Sequence, residues 1–369
     1  MSKKRKLKLP TANELAKKYR TSGKASEILL SPEDSLWLPS SNIAINYTFG
    51  GGIPYGRILE LYGEESSGKS LLAIDFAKCC QLLGGIVLYA DAEATYDAHW
   101  NEVNGIDNDR VVLFQETAVE TLSDWIRDQA LYYRSQLVNN EPILVILDSV
   151  AALDCADNID SSQTDAKAEM GNRAKAIYKM FRIRNQLFNE LGISFIAINQ
   201  LRQKVGANQF QDPDTTPGGS ALKFYASIRC GIYGGKQIKG KVNGIEERVG
   251  KLASVRIKKN KVGPPRPTLR TEVYFVPEYR EPGFNRYKGF ADILQRLGVL
   301  TKKGSRYYMG EDMVSNGEDA LITKIEKDEK FRKILIRKSK INTVSKMRIK
   351  LKKLEGNNQF PVLADSLDE

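Results

Sequence analysis

Histidine is almost missing from this 369-residue chain, since His99 is the only one. A lone imidazole argues against catalytic or metal chemistry built on histidine. Cysteine is sparse as well: Cys79, Cys80, Cys155 and Cys230 show no C-x-x-C spacing. That excludes an obvious zinc site or disulfide framework and fits a reducing cytosol. No apolar run approaches the roughly 18 residues of a membrane span. The Lys-rich N-terminus lacks the apolar stretch of a signal peptide, and no internal repeat is visible. The expectation is a cytoplasmic globular protein without a membrane partner.

Apolar content of 41% and charged content of 27% are ordinary for such a protein. The length suggests roughly two domains. The net charge of +11 is unevenly placed. Residues 1–24 hold nine Lys/Arg against Glu14, and residues 321–354 hold thirteen against three acids. The stretch between them is mildly acidic. Basic ends around an acidic middle point to a polyanionic partner, with a merely solvated end as the alternative.

The richest local signal is Gly63-Glu64-Glu65-Ser66-Ser67-Gly68-Lys69-Ser70, which fits G-x-x-x-x-G-K-[ST]. Its glycines let backbone N–H groups converge on phosphate oxygens. Lys69 is expected at the β/γ-phosphates and the Ser70 hydroxyl on Mg²⁺. The flanks agree: residues 57–62 read as a strand and 70–83 as a helix ended by Gly84-Gly85. Strand, loop and helix together place a positive helix end against a phosphate.

Around this loop runs a β/α alternation. Strands are expected over 86–91, 143–148 and 194–199, with helices over 119–137 and 165–191. Near-continuous apolar strands alternating with helices imply a largely parallel sheet covered on both faces. Strands over 226–231, 252–258 and 271–276 suggest an antiparallel extension. Residues 41–62 read as a strand and turn. The Pro/Gly-rich stretch 277–283 marks a boundary, followed by helices over 290–300 and 320–336 and a Lys/Arg-rich run to Leu354. The expected domains are a basic N-terminal arm (1–35), a nucleotide-binding core (36–277), a small basic domain (278–354) and a tail (355–369).

Asp148 closes an apolar strand, where an acid holds the Mg²⁺ shell in P-loop enzymes. Glu93 follows the strand 86–91 and is placed to orient water toward the γ-phosphate. Asn199-Gln200 closes another strand. Its amides either sense the γ-phosphate or satisfy buried backbone, and the pattern leaves both open. The Lys/Arg-rich strand carrying Lys259 and Lys261 reads, by itself, as a solvated edge.

Five strings carry a resemblance: GRILELYGEESSGKS (56–70), DAE (91–93), LDSVAAL (147–153), INQLR (198–202) and GGSALKFYAS (218–227). With them the chain resembles the RecA family of DNA recombinases over residues 38–276, and less closely over 289–310. The resemblance implies an α/β fold: a RecA-like P-loop ATPase core, a mostly parallel sheet with an antiparallel extension, and a small α/β C-terminal domain. It implies Glu93 as the catalytic glutamate and Gln200 as the residue coupling the γ-phosphate to a DNA-binding loop. Asp97 and Trp100 fall at the adenine contacts, Trp100 replacing the usual tyrosine. Lys259 and Lys261 match lysines that reach the ATP of a neighbouring subunit, and Lys223 and Phe224 relay the ATP state across that interface.

Two segments match the family's DNA-binding loops. The first contains Met170, Gly171 and Arg173, with Lys175 in place of the usual arginine and Arg182 farther along. The second runs from Leu201 to Gly219 with Arg202, Lys204, Gly206, Phe210, Thr215, Thr216, Gly218 and Gly219. Here Pro217 replaces a threonine and the loop is one residue longer. Basic groups neutralise phosphates while apolar ones stack on bases. The resemblance therefore implies an ATP- and Mg²⁺-dependent recombinase of DNA repair. It would polymerise on single-stranded DNA, pair it with double-stranded DNA, and work with single-strand-binding and loader proteins. A hexameric DNA motor on the same core and a weakly hydrolysing mediator are the alternatives.

Overall fold

The computed structural model describes residues 35–160, 166–203, 214–264 and 266–356. The described residues from Trp37 on belong to one compact unit, and ahead of them only Ser35 and Leu36 are described. In chain order this unit runs β1 (Trp37–Leu38), α1 (Ile43–Phe49), β2 (Ile53–Pro54), β3 (Ile58–Gly63), α2 (Lys69–Leu82), β4 (Ile86–Asp91), α3 (Ala98–Val103) and β5 (Val111–Phe114). Next come α4 (Val119–Gln136), β6 (Ile143–Asp148), α5 (Ala156–Asp160), α6 (Ala166–Glu190), β7 (Ile193–Gln200), β8 (Arg202–Gln203), β9 (Asp214–Thr215) and α7 (Ala221–Tyr225). The long β10 (Ile228–Val242) and β11 (Ile245–Asn260) lead to β12 (Leu269–Tyr274) and β13 (Gly283–Phe284).

One nine-stranded sheet organises the unit, in the order β13-β12-β11-β10-β3-β7-β6-β4-β5. The six strands from β10 to β5 are parallel, and β11, β12 and β13 continue antiparallel. The expected extension is thus present, but it begins one strand later, because β10 runs alongside β3. The parallel strands β3, β6 and β7 are apolar almost end to end, as burial on both faces requires. Leu88, Val145, Leu147 and Phe195 face α4 and α6, whose Leu122, Ile126, Phe181 and Phe188 complete one core. Helix α2 covers the opposite face with buried Leu72, Phe76, Ala77 and Cys80.

Several elements depart from the sequence expectations. Residues 43–49 form a helix rather than a strand: Asn42 caps it by accepting from Ile45 N at 2.9 Å, and Gly50 ends it at φ +91°. Strands β10 and β11 extend far beyond the two short strands read for them. They pair up to Val242 and Ile245 around Asn243 and Gly244, both at positive φ, as a two-residue hairpin turn needs.

The C-terminal part holds α8 (Phe290–Arg296), an antiparallel sheet of β14 (Thr301–Lys303), β15 (Arg306–Met309) and β16 (Asp312–Asn316), then α9 (Glu318–Lys327) and α10 (Glu329–Ser339). The single helix expected over 320–336 is two, because Asp328 ends the first and caps the second through Phe331 N at 2.9 Å. The basic run that follows is helix α11 (Val344–Lys353), with Met347 and Leu351 buried. It packs back on the core: Asn342 donates to Gly51 O at 2.9 Å and Arg348 to Leu82 O at 2.7 Å.

Candidate active site

The phosphate loop leaves β3 at Gly63 and enters α2 at Lys69. Gly63 is dictated by its neighbours: a Cβ there would meet Ile232 O on β10 at 2.2 Å. Gly68 is dictated by its own backbone, at φ +105°. Glu64, Glu65 and Ser66 are exposed, while Ser67 and Lys69 are buried. The Lys69 ammonium donates to Gly63 O at 3.1 Å and to Glu64 O at 2.7 Å, spanning the loop it must serve. Burial lowers its pKa, and the carboxylate of Asp148 opposes that.

Three further strands bring their C-terminal ends to the same place. Asp148, from β6, accepts from Ser70 Oγ at 2.9 Å and from the Tyr89 hydroxyl at 3.0 Å. Its pKa is raised by burial, against the pull of those two hydrogen bonds. Glu93, beyond β4, accepts from Ser149 Oγ and, at 3.4 Å, from Gln200 Nε2 at the end of β7. Asp91 fastens the turn between them, accepting from Thr95 N and Tyr96 N at 3.0 and 2.9 Å and from Gln115 Nε2 at 3.0 Å. The open choice for the Asn199-Gln200 amides divides: buried Asn199 donates to Pro217 O, whereas Gln200 faces Glu93.

The residues fit a nucleotide with Mg²⁺. Ser67 Oγ is buried on the loop without a hydrogen-bond partner, so an acceptor is wanted there. No group of three or more His, Cys, Asp or Glu among the described residues could hold a metal on its own. A hydroxyl and one carboxylate suit Mg²⁺ that takes its other ligands from phosphates and water. Beside the loop lies a cavity of about 390 Å³, lined by Ser66–Leu71 and by Arg248, Lys251, Val273 and Phe275. The last four escaped the sequence reading, because nothing local ties a strand near residue 250 to a loop near residue 66.

The RecA N-terminal domain family matches residues 12–278. The chain belongs to the RecA family. It is 36% identical to Protein RecA of Bacteroides thetaiotaomicron over 285 residues, 77% of this chain and 80% of that protein. It is 32% identical to Protein RecA of Picosynechococcus sp. over 306 residues, 83% and 82% of the two chains. Protein RecA of Bifidobacterium longum is 34% identical over 321 residues, 86% of this chain and 75% of that one.

Not every residue implied by RecA likeness gathers at the loop. Asp97 caps α3 by accepting from Trp100 N at 2.9 Å, and neither side chain lines the cavity. Lys259 and Lys261 lie eight and ten residues along from Lys251 in the sequence. Eight residues of strand correspond to roughly 27 Å. Because β11 runs antiparallel to β10, which parallels β3, Lys259 lies level with Glu60, toward the start of β3 and away from the phosphate loop at its end. There Lys259 donates to Lys223 O at 2.6 Å and Lys261 to Phe224 O at 3.2 Å. Burial, then the charge of Lys261, bring Lys259 down to about 8. Phe224 is 61% exposed beside them.

The residues expected in the two DNA-binding loops cluster in part. Met170, Gly171, Lys175 and Arg182 are exposed along α6. Arg173 instead donates to Val150 O at 3.2 Å and to Ala151 O, so its guanidinium braces the turn after β6. Its pKa is lowered first by burial and also by the charge of Arg202, with Asp154 opposing. Arg202 is exposed, and β8 pairs with β9 through Arg202 and Thr215. Thr216 is buried, and Gly218 and Gly219 turn against Val150 and Ala174. Lys204, Gly206 and Phe210 lie outside the described residues, as does most of the N-terminal arm.

Proposed function

We propose that the chain is a DNA-stimulated ATPase that polymerises on single-stranded DNA and exchanges strands with a homologous duplex. The observation carrying this reading is a site complete on one side only. Lys69, Ser70, Asp148, Glu93 and Gln200 converge at the C-terminal ends of the parallel strands, while Lys259 and Lys261 stand toward their starts. Cations needed at the γ-phosphate would then come from a second copy, and a head-to-tail contact of that kind builds a helix. Family membership supports the same reading.

In this mechanism the loop N–H groups and Lys69 hold the phosphates. Ser70 and Asp148 would hold Mg²⁺, which neutralises phosphate charge. Glu93, oriented by Ser149 and Gln200, aligns a water for in-line attack and accepts its proton. Gln200 ends the strand that feeds the second DNA loop, so contact with the γ-phosphate and the placing of that loop are linked. Base pairing discriminates sequence, and the protein needs only backbone and stacking contacts.

The test is ATP turnover with and without single-stranded DNA, with electron microscopy of the same samples. DNA-stimulated turnover with helical filaments, both absent in Lys69→Ala, is the expected result. Closed hexameric rings would replace this reading with a motor, and filaments with almost no turnover would replace it with a mediator.

A further inference from the structure

Strand β11 turns Val249, Lys251, Ala253 and Val255 to one face. Three of these are buried apolar residues, as a core-facing row demands, and the fourth is a lysine that is 8% exposed as a residue. Lys251 lies opposite Val273 on β12, and a bulge at Gly235 and Lys236 interrupts the register beside it. Among the described residues no acceptor or carboxylate pairs with it. Its charged neighbours along the cavity are Lys69 and Arg248, both cations. The strand wall of the cavity, Lys251 and Arg248, thus carries like charge with no carboxylate among the lining residues. A buried, unpaired lysine is costly, and the usual escape to bulk water is narrow at this exposure. The bound partner that would compensate it is an anion.

The position also says which part of an anion. Asp148, Glu93 and Gln200, which address the bond to be broken, do not line this cavity; Ser70 and Leu71 at the start of α2 do. We propose that Lys251 is a second ammonium contact on the nucleotide, donating to the α/β-phosphate end of a nucleoside polyphosphate. This rests on the nucleotide reading above and deepens it. Arg248, exposed and 5.3 Å above the Phe275 ring, reinforces the positive field at the mouth. The chain would accordingly hold the diphosphate as well as the triphosphate, making product retention a property of this strand.

Calorimetric titration of the full chain with ATP, ADP and adenosine, each with Mg²⁺, tests the idea in wild type, Lys251→Met and Lys251→Arg. Lys251→Met should weaken ATP and ADP alike by roughly tenfold, about 1.4 kcal/mol. Adenosine binding should not change, and Lys251→Arg should keep most of the affinity. The nucleotide-free Lys251→Met protein should melt no lower than wild type, since the apolar row is completed. Unchanged ADP affinity, a loss confined to ATP, or an equal loss for adenosine would each overturn the proposal. Should Lys251→Met fail to fold, Lys251→Gln provides the same comparison. Wild type that binds no nucleotide at all would instead sink the underlying reading.

Discussion

Glu60 sits in the middle of β3, fully buried, and its carboxylate takes a hydrogen bond from Arg229 Nε on β10. The same carboxylate accepts from Asn199 Nδ2 at 3.2 Å, and that amide also donates to Pro217 O at 3.0 Å. One buried carboxylate therefore links the central strand, the strand leading to Gln200, and Pro217 at the end of the segment that follows it. Glu60→Gln removes the charge and strands Arg229. Breaking one side of a buried pair typically costs 3–5 kcal/mol. Here Gln keeps an acceptor oxygen, and Arg229 retains the face of Tyr62 at 5.4 Å, so about 3 kcal/mol is expected. That is a large share of the roughly 5–15 kcal/mol that holds a typical fold. Urea unfolding should show the loss, and Glu60→Leu with Arg229→Met should recover most of it, because no charge is then left buried alone. The ATPase of Glu60→Gln should need more single-stranded DNA for half-maximal stimulation, since Asn199 loses an anchor. A stability change under about 0.5 kcal/mol, or a double variant no better than the single one, would refute the reasoning.

Three other outcomes follow from the site. Glu93→Gln should lower kcat by about 10²–10⁴ with ATP affinity intact, as for loss of a general base; comparable hydrolysis in a single-turnover assay would remove Glu93 from that role. Arg202→Ala should flatten the dependence of log affinity on log salt for single-stranded DNA by about 0.7, measured by fluorescence anisotropy; an unchanged slope would mean that Arg202 meets no phosphate. Lys259 titrates near 8, against an ordinary value of 10.5. Its cation is lost as pH rises through about 8, so DNA-stimulated turnover should decline there and Lys259→Arg should extend the plateau upward. Between those two values the unfolded chain binds more protons at this site, so its contribution to stability rises with pH while activity falls. A plateau unaffected by Lys259→Arg would count against the charge.

Legibility in the sequence followed the range of the interaction involved. The strands 86–91 and 143–148 were read to the residue, because an apolar run ended by an Asp is a local pattern. The helix at 43–49 was missed although Asn42 and Gly50 bracket it, since its residues are buried nearly all round and show no amphipathic stripe. The outer half of the β10–β11 hairpin was missed because its strands are exposed and charged; only Asn243-Gly244 announced it. The final basic helix was hidden by its lysines, with Met347 and Leu351 too few to stand out.

What the amino-acid order determined by itself is the chemistry of the phosphate loop and the parallel β/α frame. Both depend on contacts within a few residues: loop N–H groups, a helix start, apolar runs. The tertiary structure alone decided which distant residues share the site. It set Asp148 on Ser70 across 78 positions and Glu93 against Gln200 across 107. It also turned Lys251 inward beside the loop and left Lys259 toward the other end of the strands, level with Glu60. Strand order and direction settle such pairings, and they follow from how nine strands bury their faces together rather than from any short stretch of sequence.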